Sequence, residues 1–207
     1  MYLEIKVCGN TEAENLRKVC NLQPDYVGFI FYNKSKRFVG SPESVARVEG
    51  CKAKRVGVFV NASIDYIKRR AEDFELDIIQ LHGDETTSFC QKVSKIRPVF
   101  KAFQINNNFN FNKLSNYKSA CNKFLFDTSS KMYGGSGKKF DWQLLDEYKS
   151  DLPFILSGGI GSDDLERLQE INHPMFSGID LNSRFEVSPG IKDIPTLTSF
   201  INNIRTL

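Results

Sequence analysis

Eight short runs rich in β-branched and aromatic residues recur along the chain, and no other feature narrows its possible folds so strongly. They lie at 3–7, 26–31, 55–60, 78–81, 99–103, 124–126, 154–156 and 176–181, so successive starts are 21 to 30 residues apart. Between and after them come stretches of helical periodicity at 42–48, 85–96, 142–148, 164–171 and 194–204, and an asparagine-rich loop after the fifth run leads into a weak helix at 113–119. Helix-start signals open two more, Thr11-Glu12-Ala13-Glu14 and Ser63-Ile64-Asp65-Tyr66, where a hydroxyl residue caps free N–H groups and an acid meets the positive helix end. Parallel strands need helical crossovers, and runs that are apolar throughout imply burial on both faces. The pattern predicts an α/β fold, a single-domain (β/α)₈ TIM barrel occupying residues 1–207, with a doubly wound open sheet as the alternative. No GxGxxG follows the first run, which weakens a dinucleotide-binding version of that alternative.

Composition excludes several classes of function. With 41% apolar and 26% charged residues and a formal charge of +3, the chain has ordinary globular usage and too little positive charge to suggest a nucleic-acid partner. Glu4 and Lys6 interrupt the N-terminal apolar run, and nowhere do about 18 apolar residues follow one another, so neither a signal peptide nor a membrane span is predicted. The expected location is the cytoplasm. Five cysteines, Cys8, Cys20, Cys51, Cys90 and Cys121, are odd in number and lack CxxC spacing. Neither disulfides nor a metal site is expected, and the last four are assigned to packing or surface. The asparagine-rich segment 106–112 carries no recognisable chemistry.

A barrel places its chemistry at the C-terminal strand ends. Cys8-Gly9, Asn61, His82-Gly83-Asp84, Asp127-Thr128, Ser157-Gly158-Gly159 and Asp180 occupy those positions here. Singly, a buried cysteine is inert filler, an aspartate before Thr-Ser is a turn residue and a lone histidine packs. Together on one face they suggest a site. Gly134-Gly135-Ser136-Gly137 after the sixth run and Ser157-Gly158-Gly159-Ile160-Gly161 after the seventh let backbone N–H groups approach an anion, and Asp180-Leu181-Asn182-Ser183 adds a second wall. Phosphate is the expected ligand. The first and sixth strands lie three steps apart in an eight-membered ring, so Cys8 and Asp127 face each other across the mouth, a base and an acid suited to isomerisation by proton transfer. Lys6, two residues before Cys8 and on its side of the strand, is placed to favour the thiolate.

The stretches Lys6-Val7-Cys8-Gly9, Gly28-Phe29-Ile30-Phe31 with Ser35-Lys36-Arg37-Phe38-Val39, Val56-Gly57-Val58-Phe59-Val60-Asn61, Gln80-Leu81-His82-Gly83-Asp84-Glu85, Phe126-Asp127-Thr128, Gly134-Gly135-Ser136-Gly137, Leu156-Ser157-Gly158-Gly159-Ile160 and Pro189-Gly190-Ile191-Lys192-Asp193 resemble, in family order, the phosphoribosylanthranilate isomerases of tryptophan biosynthesis. The resemblance implies a cofactor-independent Amadori rearrangement of N-(5-phosphoribosyl)anthranilate to 1-(2-carboxyphenylamino)-1-deoxyribulose 5-phosphate, with a small-molecule substrate and a monomer or homodimer. It implies Asp127 as general acid, Cys8 as thiolate base and Arg37 as partner of the anthranilate carboxylate. The substrate-binding set is Arg37, His82, Gly135, Gly137, Gly158, Gly159, Asp180, Asn182 and Ser183, with packing or hydrogen bonding by His82 ranked ahead of direct catalysis. One departure stands out: the family's Asp-x-Ser-Ser-Gly-Val-Glu reads Asp180-Leu181-Asn182-Ser183-Arg184-Phe185-Glu186 here. The histidine-pathway sugar isomerase resembles a two-aspartate enzyme, which Cys8 argues against, and no lysine–glutamate set of an indole-glycerol-phosphate synthase can be placed. A non-catalytic phosphate-binding protein would need the glycine loops but not a facing acid and base.

Overall fold

The computed structural model describes residues 2–45, 48–128 and 141–206. All eight runs form strands: β1 (Glu4–Val7), β2 (Tyr26–Ile30), β3 (Lys54–Phe59), β4 (Ile78–Leu81), β5 (Val99–Ile105), β6 (Lys123–Thr128), β7 (Phe154–Leu156) and β8 (Phe176–Leu181). They close in sequence order into a parallel barrel, with β8 returning to β1 in the register Glu4↔Gly178 through Val7↔Leu181. Closure excludes the open sheet. Alternation along each strand divides the core into two layers. Outward residues such as Ile5, Val7, Phe59, Phe124 and Phe154 join the large apolar layer under the helices, while Tyr26, Val56, Ile78, Phe100, Ala102, Leu125 and Ile155 form a separate buried cluster in the barrel interior.

The helices α1 (Ala13–Asn21), α2 (Ile64–Asp73), α3 (Thr87–Val93), α4 (Leu165–Gln169) and α5 (Ile194–Arg205) cover the outside. Ser63 and Thr86 cap α2 and α3 by accepting from Tyr66 and Phe89 N–H. The cap of α1 is Glu12 rather than Thr11, whose hydroxyl donates instead to the Gly190 carbonyl. Three stretches with helical spacing wind as 3₁₀ turns, at Pro42–Val45, Phe111–Ala120 and Trp142–Glu147. In the second, Asn112, Ser115, Asn116 and Ser119 are residues whose side chains compete for the backbone and disfavour an α-helix.

Two features depart from the sequence reading. A short antiparallel hairpin, β9 (Glu186–Ser188) with β10 (Ile191–Lys192), follows β8; its strands are too short to show a period. Cys20 at the end of α1 and Cys51 ahead of β3 are disulfide-bonded, with Cα atoms 5.3 Å apart, against the expectation of no disulfide. An odd cysteine count hides a pair that only the fold brings together. Cys90 and Cys121 are free and buried, as the packing assignment predicts. Among the described residues no helix is long and apolar enough to cross a membrane.

Candidate active site

Above the apolar interior cluster, inward strand positions turn polar. Lys6 on β1, Gln80 on β4, Asp180 on β8 and Ser157 just after β7 are all buried. Lys6 Nζ donates to Asp180 Oδ1 at 2.9 Å, the two residues being direct partners across the β1–β8 seam. Burial alone lowers the Lys6 ammonium, but the facing Asp180 and Cys8 outweigh it and hold it above its usual range. Asp180, expected in the phosphate wall, thus has a cationic partner within the chain.

Cys8 follows β1 at the mouth, 3% exposed, its N–H bonded to the Leu181 carbonyl. Gly28 on the adjacent strand makes room for the sulfur; a Cβ there would lie 2.7 Å from Sγ. Burial pushes the thiol pKa up, and Asp180 adds to the rise; Lys6 and Lys192 pull it down without cancelling it. The lysine assistance expected from sequence therefore exists, from two ammoniums rather than one, yet desolvation is the larger effect.

Gly9 follows at φ +79°, and a Cβ on it would collide with Asn182 Oδ1 at 2.7 Å and the Arg37 Cδ at 2.8 Å. That close approach gathers three loops. The segment after β2 folds back, with Val39 N–H on the Ile30 carbonyl, and brings Arg37 beside Cys8. Arg37 is bonded to Glu186 of β9, and Glu186 in turn to Lys192 of β10, whose Nζ reaches Asn182 Oδ1 at 2.9 Å.

Across the mouth, His82 Nε2 lies 3.1 Å from Asp127 Oδ2 and His82 Nδ1 lies 2.9 Å from Gln80 Nε2. An amide N–H donating to Nδ1 leaves the ring proton on Nε2, facing the carboxylate. Gln80 Oε1 has no hydrogen-bond partner among the described residues. The loop carrying His82 is pinned by Glu85, which accepts from the N–H groups of Asn61 and Gly83 and pairs with buried Lys101 at 3.1 Å. Cys8 just after β1, His82 just after β4, Asp127 in β6 and Asp180 in β8 all lie at the C-terminal ends of the parallel strands, the same end of the barrel.

On the remaining arc, Gly158 and Gly159 adopt φ +97° and +72°, a conformation that favours glycine. Opposite them Ser183 opens a 3₁₀ turn, Ser183–Phe185. Arg184, in place of the family glycine, reaches over to the β7 loop and pairs with Asp163 at 2.9 Å. Gly135 and Gly137 lie outside the described residues. Sequence reasoning missed Gln80, Glu186 and Lys192 as members of this cluster. A lone glutamine in the apolar strand Ile78–Leu81 was the available signal for the first; the other two sit in quoted motifs but have no local cue to their partners.

Comparison with known proteins gives a consistent result. Residues 5–203 match the family model described as N-(5'phosphoribosyl)anthranilate (PRA) isomerase. The chain is 45% identical over 204 residues to the N-(5'-phosphoribosyl)anthranilate isomerase of Parabacteroides distasonis, covering 97% of this chain and 92% of that one. The crystal structure of phosphoribosyl anthranilate isomerase from Thermotoga maritima superposes with a TM-score of 0.84 at 34% identity, covering 99% of this chain and 100% of that one. A further crystal structure, of such an isomerase in complex with reduced 1-(o-carboxyphenylamino)-1-deoxyribulose 5-phosphate, matches with a TM-score of 0.81 at 31% identity over 99% of this chain and 100% of its own.

Proposed function

This chain belongs to the N-(5'-phosphoribosyl)anthranilate isomerase family, and from that premise we propose how its own residues carry the reaction. The enzyme isomerises N-(5'-phosphoribosyl)anthranilate to the 1-deoxyribulose 5-phosphate in tryptophan biosynthesis. Asp127 donates a proton to the furanose ring oxygen as the C1–O bond breaks and the nitrogen lone pair forms a C1=N iminium. The Cys8 thiolate then removes the C2 proton, and the C2–H electron pair forms a C1=C2 enolamine as the iminium collapses. Ketonisation moves a proton from the C2 hydroxyl to C1. The substrate nitrogen serves as its own electron sink, so two protein groups suffice. Arg37 holds the anthranilate carboxylate, and the N–H groups of the Gly158-Gly159 turn, with Asn182 and Ser183 opposite, hold the phosphate. His82 orients the Asp127 carboxyl.

The observation that carries this reading is the closed parallel barrel, which sets Cys8, just after β1, and Asp127, near the end of β6, at the same end of the ring and three strands apart. A substrate spanning that gap meets the base on one side and the acid on the other. Purified Cys8→Ala and Asp127→Ala, assayed by loss of anthranilate fluorescence, are each expected to lose about 10² to 10⁴-fold in kcat with the fold retained. Wild-type turnover by either variant would remove that residue from the mechanism.

A further inference from the structure

Arg37 does not stand free in the mouth. Its Nε and Nη2 donate to the Glu186 carboxylate at 2.9 and 2.5 Å, and the Glu186 side chain is only 4% exposed. The same carboxylate accepts from Lys192 Nζ at 2.8 Å and from the Gly190 N–H at 3.1 Å. Lys192 is itself fixed, its backbone N–H on Asn15 Oδ1 and its ammonium shared with Asn182. A guanidinium is a planar fork with two edges able to grip a carboxylate. Glu186 takes the Nε/Nη2 edge, which leaves the Nη1 side, with the outer N–H of Nη2, for another anion. Lys192 shares the buried carboxylate with Arg37 and also faces the Cys8 sulfur, so the end edge of Arg37 is the part of the cluster left for a second carboxylate. Burial raises the Glu186 carboxyl, but Arg37 and Lys192 outweigh it and hold it below its usual range, so the carboxylate is charged at neutral pH.

We propose that Glu186, anchored by Lys192, is a positioning residue that fixes the edge of Arg37 presented to the mouth and thereby sets the enzyme's selectivity for an arylamine carrying a 2-carboxylate. The proposal rests on the reading of Arg37 as the carboxylate partner. It explains why both residues sit on a hairpin outside the barrel: β9 and β10 hold the back of the guanidinium, while the loop after β2 supplies it. Asn182 also changes its meaning, since its oxygen completes the Lys192 ammonium and its amide N–H groups remain for the substrate.

The test compares kcat/KM for N-(5-phosphoribosyl)anthranilate and N-(5-phosphoribosyl)aniline, followed by chromatography of the sugar phosphates, in wild type, Glu186→Gln and Glu186→Asp. Wild type is expected to favour the carboxylated substrate by about tenfold to a hundredfold, the worth of one charge-assisted hydrogen bond. Glu186→Gln is expected to lower that ratio by about tenfold, through a higher KM for the carboxylated substrate with kcat changed less. Glu186→Asp keeps the charge but is one methylene short, and is expected to fall between. A wild-type ratio in Glu186→Gln overturns the proposal, and if that variant does not fold, a wild-type ratio in Glu186→Asp does the same. Loss of activity on both substrates alike, with the ratio intact, assigns Glu186 a structural role and also overturns it. A wild type without preference removes the Arg37 reading first; a wild type that turns over neither substrate removes the isomerase reading.

Discussion

Cys8 is placed where burial opposes the ionisation that its proposed role as a base requires. Desolvation holds its thiol above the ordinary value of about 8.5, and the ammoniums of Lys6 and Lys192 reduce that rise. Since kcat/KM reports groups of the free enzyme, its pH profile is expected to climb with pH from neutrality into the alkaline range as the thiolate fraction grows. Removing a cation disfavours the anion further, so Lys192→Met is expected to shift that limb to higher pH. A rate profile flat between neutrality and pH about 9 would show that no thiol ionisation limits the reaction. Cys8 and Asp127 are both legible in the sequence as strand-end residues, because their places follow from strand length alone. Lys6 is legible beside Cys8 by strand alternation, but not its partner Asp180, 174 positions away, nor the Glu186 that Arg37 meets 149 positions away. Nothing local encodes such pairings.

At the scale of elements, the strands were the most legible part, because burial on both faces keeps them apolar throughout and a short window suffices. The 3₁₀ turns at Pro42–Val45 and Trp142–Glu147 share the spacing of apolar residues with α-helices over one or two turns, so pattern alone does not separate them. The disulfide between the end of α1 and the approach to β3 was hidden for a different reason: it depends on two crossovers meeting at the end of the barrel opposite the site. It closes a separation of 31 residues, and its loss is expected to lower the unfolding free energy by about 2 to 4 kcal/mol. Denaturant unfolding of Cys51→Ser measures this, and reductant is expected to bring the wild type to the midpoint of the variant. An unchanged wild-type midpoint in reductant would show that the cross-link contributes nothing to stability. Because the bond lies away from the mouth, kcat is expected to hold in the folded variant.

For the whole molecule, closure and chemistry depend on one seam. β1 and β8 pair from Glu4↔Gly178 to Val7↔Leu181, and the Lys6–Asp180 ion pair sits two positions along that ladder from Gly178. Gly178 has no room for a side chain: a Cβ would lie 2.6 Å from the Glu4 carbonyl oxygen, a backbone atom that cannot swing aside. Ahead of it the β7–β8 register shifts, so β8 is already fitted between two neighbours that constrain it differently. Gly178→Val therefore has to spread the seam, at a cost of about 1 to 3 kcal/mol for overpacking. The displacement is shared by Lys6 and Asp180, whose contact at 2.9 Å steadies the charge beside Cys8. The variant is thus expected to show a lower denaturation midpoint together with a lower kcat/KM, measured on the same preparation under conditions where it remains folded. Loss of stability with kcat/KM preserved would mean that the ion pair is insulated from the ladder that carries it, and that the barrel can yield at its closing seam without disturbing Cys8.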